Sequence, residues 1–265
     1  MFPSFKSSGA PATLAVEPVA GEFPQMQGAQ IAAATYGKRV AGDFYDSIRV
    51  SPQRVLFGLL DVAGRRENNQ GILSAAQTIF RTLGVELFSG EDINESEAMT
   101  ELCLSLNRGI MEAAEGVRSC PAFMGCYHEK FGTLCYSNAG HTPGLLLDST
   151  GIAELRSTGL PLGLFSHATI EAPIAGMEPG AVLLLVSRGV VEGEHDEKAG
   201  ETVEFGLNRV KDQLQNSHLQ AGQRKVFGPP DPHELCASVL NAAVECACGP
   251  LVHEDMTALS VVRTA

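Results

Sequence analysis

Two amphipathic helical stretches stand back to back in the middle of this chain, between blocks of strand-like sequence. That order limits the possible folds more than any other feature. From 69 to 88, Ile72, Ala76, Ile79, Leu83 and Leu87 recur at three- and four-residue spacing. From 94 to 114, Ala98, Leu102, Leu106 and Ile110 do the same, and Glu97 stands at the capping-box position after Asn94. Before them, AQIAAAT (29–35) reads as a strand, and GDFYDSIRV and RVLFGLLDV read as a hairpin around Ser51-Pro52-Gln53. RVLFGLLDV is apolar nearly throughout, which predicts a strand buried on both faces.

After the helical pair, AFMGCYHE, TLCYSNA, GLLLDS and IAELR are short strand candidates. Gly132, the Gly140-His141-Thr142-Pro143 corner and Thr150-Gly151 punctuate them, a pattern that predicts a β-meander. AVLLLVS predicts another buried strand, 205–214 a helix and 215–230 a loop. Asp231-Pro232-His233-Glu234 supplies an N-cap, a proline at the first helical position and an early carboxylate, opening a helix to about Cys246. A strand over 256–262 follows. Regular βαβ alternation is absent, so a doubly wound parallel sheet is disfavoured and an α+β sandwich of antiparallel sheets covered by helices is expected. Residues 1–22, rich in Pro, Ala and Ser without a sustained period, read as a flexible tail, and 23–265 as one domain.

Composition narrows the function. At 265 residues and 44% apolar content the chain can bury a substantial core, which excludes disorder throughout. Its apolar runs fall far short of the ~20 residues a membrane-spanning helix needs. The first residues, MFPSFKSSGA, lack the apolar core of a signal peptide, so a cytoplasmic location is expected. With 19 Lys+Arg against 31 Asp+Glu, the net charge of -12 repels phosphate backbones and argues against nucleic-acid binding. The acidity serves solubility, or it collects carboxylates for divalent cations; position must decide. The seven cysteines form no C-x-x-C pair, so reduced thiols are expected. Cys126, His128 and Cys135 alternate within apolar stretches, which favours buried strand positions over a zinc cluster.

The charged residues stand at the ends of the apolar runs. VLFGLL leads into Asp61-Val62-Ala63-Gly64, and VLLLV into Ser187-Arg188-Gly189. His253-Glu254-Asp255 precedes the strand over 256–262, and Asp43 follows Gly42. Strand ends of a sandwich can converge on one cleft, and hard carboxylate oxygens suit Mg²⁺ or Mn²⁺. Asp also favours turns for its own reasons, and spacing alone does not separate the two readings.

With these residues in view the sequence resembles the metal-dependent protein phosphatase (PPM) superfamily, in its bacterial SpoIIE-type branch of sigma-factor regulators. The matching stretches are AGDFYDSI (41–48), LLDVAG (59–64), YSNAGHTPGLLL (136–147), GLPLGLF (159–165), LLLVSRGVVEG (183–193), EFGLNRV (204–210) and HEDMTALSVV (253–262). The resemblance implies a four-layer αββα sandwich with a metal centre at one edge of the sheets. It implies that acidic residues hold two Mn²⁺ or Mg²⁺ ions, and that water between them attacks the phosphorus of a phosphoserine or phosphothreonine. By motif position Asp61 bridges the ions, the Val62 carbonyl joins the second, Asp255 ligates the first, and Asp43 acts on the second directly or through water. Asp46 has a supporting or a purely structural role, His141 shapes a turn, and Ser187 has no adjacent base to make it a nucleophile. The usual partner in this branch is a phosphorylated anti-sigma-factor antagonist.

The chain departs from the pattern at Ser187-Arg188-Gly189, where family members carry Thr-Asp-Gly and the aspartate ligates the first metal. Arg188 cannot shed its proton to admit an ion. At about 5 Å and an effective dielectric near 20, its repulsion of a divalent cation is roughly 6–7 kcal/mol. Arg65-Arg66-Glu67 also replaces the family's glycine-containing continuation. Three readings follow: a phosphatase with an altered first metal site, with one ion or none, in which Arg188 contacts phosphate; a pseudophosphatase that binds phosphoproteins without turnover; and an unrelated α+β domain.

Overall fold

A computed structural model describes residues 23–37, 42–62, 66–114, 116–167, 169–192, 204–223, 229–246 and 255–265. In chain order the elements are β1 (Ala29–Tyr36), β2 (Phe44–Ser51), β3 (Arg54–Leu60), α1 (Arg66–Phe88), α2 (Glu95–Ala113), β4 (Ala122–His128), β5 (Thr133–Ala139), β6 (Gly144–Asp148), β7 (Gly151–Leu155), β8 (Ile174–Gly176), β9 (Val182–Val186), α3 (Arg188–Glu192), α4 (Gly206–Gln223), α5 (Pro232–Cys246) and β10 (Met256–Arg263). The segment read as a tail, 1–22, lies outside the described residues.

The strands form two five-stranded antiparallel sheets. One has the order β1-β10-β9-β6-β7 and the other β2-β3-β4-β5-β8. Side-chain alternation builds the layers. On β3, Leu56 and Leu60 join a cluster with Ile72, Phe80, Leu102 and Leu106 of α1 and α2. Phe57 and Leu59, pointing the other way, meet Leu183, Leu185, Leu259 and Val261 between the sheets. On β9, Val182, Leu184 and Val186 turn outward to Val210, Leu214, Val239 and Leu240 of α4 and α5. Three cores therefore separate four layers, the αββα sandwich expected. Each fully buried Leu or Val side chain contributes on the order of 1.5–3 kcal/mol by leaving water.

Local chemistry explains the helix starts. Asn94 caps α2 by accepting from Glu97 N at 3.3 Å. Asp231 Oδ1 accepts from both His233 N and Glu234 N at 2.9 Å, with Pro232 at the first position of α5.

Two expectations need correction. The loop expected from 215 is helical to Gln223, because α4 nucleates on its buried Val210 and Leu214 and propagates through good helix formers such as Gln215, Leu219 and Ala221. The meander expected over 120–155 is not one sheet: β4 and β5 pair in one, β6 and β7 in the other. The chain changes sheet at the 140–143 corner. Gly140 has φ 70° there, and a Cβ would lie 2.4 Å from Pro161 Cγ, so a side chain does not fit. Buried Asn138 holds the corner: its Oδ1 accepts from His141 N at 2.8 Å and its Nδ2 donates to Leu155 O at 3.1 Å.

Candidate metal centre

Four strand ends meet at one edge of the sandwich. Antiparallel pairing of Phe44 with Leu60 sets Asp43, just before β2, beside Asp61, just after β3. In the other sheet Val186 pairs with Ala258, and Ser187 N donates to Thr257 O at 2.8 Å while Thr257 N donates to Ser187 Oγ at 3.0 Å. One bond then crosses from sheet to sheet: Thr257 Oγ1 donates to Asp43 Oδ2 at 2.8 Å.

Glycines allow this approach. A Cβ on Gly42 would fall 2.2 Å from Val62 O, and one on Gly37 would fall 2.5 Å from Asp255 Oδ1. Val62 N donates to Gly42 O at 3.3 Å, and Val62 O accepts from Asn69 Nδ2 at 3.4 Å. A carbonyl has two lone pairs, so that long contact leaves Val62 O with acceptor capacity.

Electrostatics mark the edge as a place where negative charge collects. The Asp43 carboxyl is raised to about 7: burial does most of this, the charges of Asp61 and Asp255 add to it, and hydrogen bonds from Ser187 and Thr257 oppose them. Among the described residues no three His, Cys, Asp or Glu side chains stand together as a ready-made cage for an ion. Asp43, Asp61 and Asp255 are nevertheless close enough for their charges to be felt at one carboxyl, and hard oxygen donors repelling one another suit a divalent cation.

Arg188 stands beside them. It opens α3, its side chain is 46% exposed, and its Nε lies 3.8 Å from Asp61 Oδ2 and 3.6 Å from Glu192 Oε2. A guanidinium therefore occupies part of the space an ion on that side of Asp61 would need.

The other candidates have structural surroundings. Asp46 is buried and held by Arg81 of α1, with Nε to Oδ2 at 2.7 Å and Nη2 to Oδ1 at 2.8 Å. This clamp tying α1 to β2 links residues far apart in sequence and has no local signal. Burial lowers His141 to about 4, so it is neutral at physiological pH. Cys126 and Cys135 face each other across β4 and β5 within the apolar core. Burial pushes Cys103, Cys120 and Cys135 up to about 12, so none is a thiolate at neutral pH. Sequence reasoning did not find Thr257 and gave Ser187 no role, although together they hold Asp43. Arg65, His253 and Glu254 lie outside the described residues.

Comparison with known proteins agrees with the architecture. The family model described as Stage II sporulation protein E (SpoIIE) matches residues 51–264. Protein IcfG of Synechocystis sp. is 24% identical over 212 residues, covering 72% of this chain and 33% of that protein, so the chain spans about a third of this curated relative. The RsbU and RsbW domains of Rv1364c from Mycobacterium tuberculosis superpose with a TM-score of 0.70 at 20% identity, covering 92% of this chain and 62% of that one. The PP2C phosphatase domain of SpoIIE from Bacillus subtilis, solved with a fragment of its regulatory domain, gives 0.66 at 16% identity over 90% of this chain and 64% of that one. At such identities the solved structures speak to the fold alone.

Proposed function

Because the chain belongs to the SpoIIE family of metal-dependent PPM protein phosphatases, we propose that its carboxylate edge handles a phosphoserine or phosphothreonine of a regulatory phosphoprotein through an altered metal site. The observation that carries this reading is the meeting of both sheets at Asp43, which accepts from Thr257 Oγ1, stands beside Asp61 and feels the charges of Asp61 and Asp255. A bound Mn²⁺ or Mg²⁺ supplies charge neutralisation and an activated water. Asp61, the Val62 carbonyl and Asp43 would hold such an ion. Thr257 and Ser187 keep the Asp43 oxygens aimed, and Asp255 adds its charge to the same edge. Arg188 serves as a phosphate contact, since its planar fork suits phosphoryl oxygens. An anti-sigma-factor antagonist is the proposed class of partner. No helix among the described residues is long and apolar enough to cross a membrane.

A second reading has its own support. Arg188 Nε is 3.8 Å from Asp61 Oδ2, on the carboxylate that the family resemblance would give to the first ion. A protein with that site closed binds a phosphoprotein without turning it over. Calorimetric titration with Mn²⁺, paired with hydrolysis of para-nitrophenyl phosphate, separates the two. Wild type takes up at most one ion tightly and turns over slowly, Asp61→Asn takes up none while remaining folded, and Arg188→Asp moves towards two ions with faster hydrolysis. Two ions and brisk phosphoserine hydrolysis in wild type would sink the charge argument. No ion in wild type or in Arg188→Asp leaves the binding module as the function.

A further inference from the structure

Two antiparallel segments run away from the carboxylate edge as a strip. Cys120 N donates to Leu162 O at 2.9 Å, Leu162 N returns to Cys120 O at 3.0 Å, and Arg118 N donates to Gly163 O at 3.2 Å. Its near end abuts the site, because Asp61 N donates to Pro121 O at 2.9 Å. The far end is pinned from α2 by buried Asn107, whose Oδ1 accepts from Gly163 N at 2.7 Å and whose Nδ2 donates to Phe165 O at 2.9 Å. The strip is thus rigid in backbone and continuous with the candidate metal centre.

Its two segments carry three exposed large apolar side chains. Val117 is 72% exposed, Leu160 53% and Phe165 54%, three of the seven large hydrophobic residues left exposed among the described residues. Arg118 sits among them, half-buried, with its Nε shielded from water and without a hydrogen-bond partner among the described residues. Arg118 stands three residues before Pro121, whose carbonyl accepts from Asp61 N, so the cation and the carboxylate belong to the same strip. An acidic edge repels a dianionic phosphate, and a cation beside it offsets that repulsion.

We propose that this strip is the docking surface for the phosphoprotein: Arg118 meets the phosphate, and Val117, Leu160 and Phe165 cover apolar residues beside the phosphorylated one. The proposal rests on the phosphatase-type reading of the edge and adds the class of segment recognised. Continuity with Asp61 and the charge of Arg118 favour this occupant over a second copy of the chain.

The test uses the full chain and fluorescence anisotropy with three labelled peptides. One carries phosphoserine flanked by Leu and Phe, the second is its unphosphorylated form, and the third carries phosphoserine flanked by glycines. Wild type binds the first at least about tenfold more tightly than either other, a difference of about 1.4 kcal/mol. Leu160→Ser and Phe165→Ser, both at exposed positions, erase the advantage of apolar flanks. Arg118→Gln lowers the advantage of the phosphate, leaving the part that Arg188 supplies, and leaves binding of the unphosphorylated peptide unchanged, with Arg118→Lys intermediate; an unchanged phosphate advantage in Arg118→Gln overturns the proposal. Equal binding of the two phosphopeptides by wild type overturns the proposal, as does unchanged discrimination in the serine variants, or no binding at millimolar peptide. So does a dimer, seen by light scattering, that Phe165→Ser dissociates. Failure of the edge itself shows separately, in the Mn²⁺ titrations, which the strip variants do not enter.

Discussion

Strand β3 carries charge at both ends and handles it differently at each. At the hairpin end, Arg54 is buried and its guanidinium donates to Glu95 Oε1 at 2.6 Å, Gly90 O at 2.7 Å and Glu91 O at 3.1 Å. At the other end, Asp61 faces Asp43 and Asp255, and the cation beside it stands off at 3.8 Å. Arg54 joins β3 to the α1–α2 connection and leaves little for a ligand to do. The Asp61 end keeps like charges together, which costs stability and is typical of a site built to bind. Complete pairing marks structure, and juxtaposed like charges mark function.

That contrast can be broken by experiment, beginning where the effect is largest. Arg54→Ala strands Glu95 and two loop carbonyls, and should destabilise the fold by about 3–5 kcal/mol in urea unfolding. A loss under about 1 kcal/mol would mean that the hairpin end is not held by this network.

Acid should act through His141 at the corner between the sheets. Its folded-state value of about 4 lies below the ordinary 6.5, so the unfolded chain takes up the proton first. The stability it protects is complete above about pH 6.5 and falls by on the order of 3 kcal/mol as pH drops to about 4. Urea midpoints across that range, compared with those of His141→Asn, measure the slope; parallel curves would show that His141 is not held neutral.

A change of opposite sign is expected at the carboxylate edge. Asp43 is raised from 3.8 to about 7, so its contribution to stability falls as pH rises between those values, and above about 7 the full cost of its ionised form is felt. Asp43→Asn keeps an acceptor for Thr257 and should gain on the order of 1 kcal/mol at pH 8 in the presence of a chelator. A loss of stability there would put the two ends of β3 in the same class. Smallest of all, Arg108→Ala breaks the 3.0 Å pair with Glu101 between two exposed side chains and should shift stability by no more than about 0.5 kcal/mol.

Much of this was legible in the sequence, for a physical reason. An apolar run such as VLFGLL has to be a central strand, and the charged residue that ends it has to sit at the sheet edge. That logic, with the family resemblance, singled out Asp43, Asp61, Arg188 and Asp255. The partners of Asp43 were not legible, because Ser187 and Thr257 belong to the opposite sheet and no local pattern reports a contact across layers. The Asp46–Arg81 clamp escaped for the same reason. Strand β8 is three residues long with Ile174 and Gly176 exposed, so it has no alternation to read and exists through its pairing with β5.

Strand β10 is the last strand in chain order, yet it lies between β1 and β9. Strand β1 has β10 as its neighbour in the sheet and must wait for it while every strand and helix between them is made. During that interval β1 presents an unpaired edge, the kind of surface that a growing chain has to keep from sticking to others. Asp255 and Thr257 arrive with β10. The growing chain therefore completes this layer and the candidate metal edge together, when β10 pairs, and a chain that stops short of Asp255 lacks the full carboxylate set.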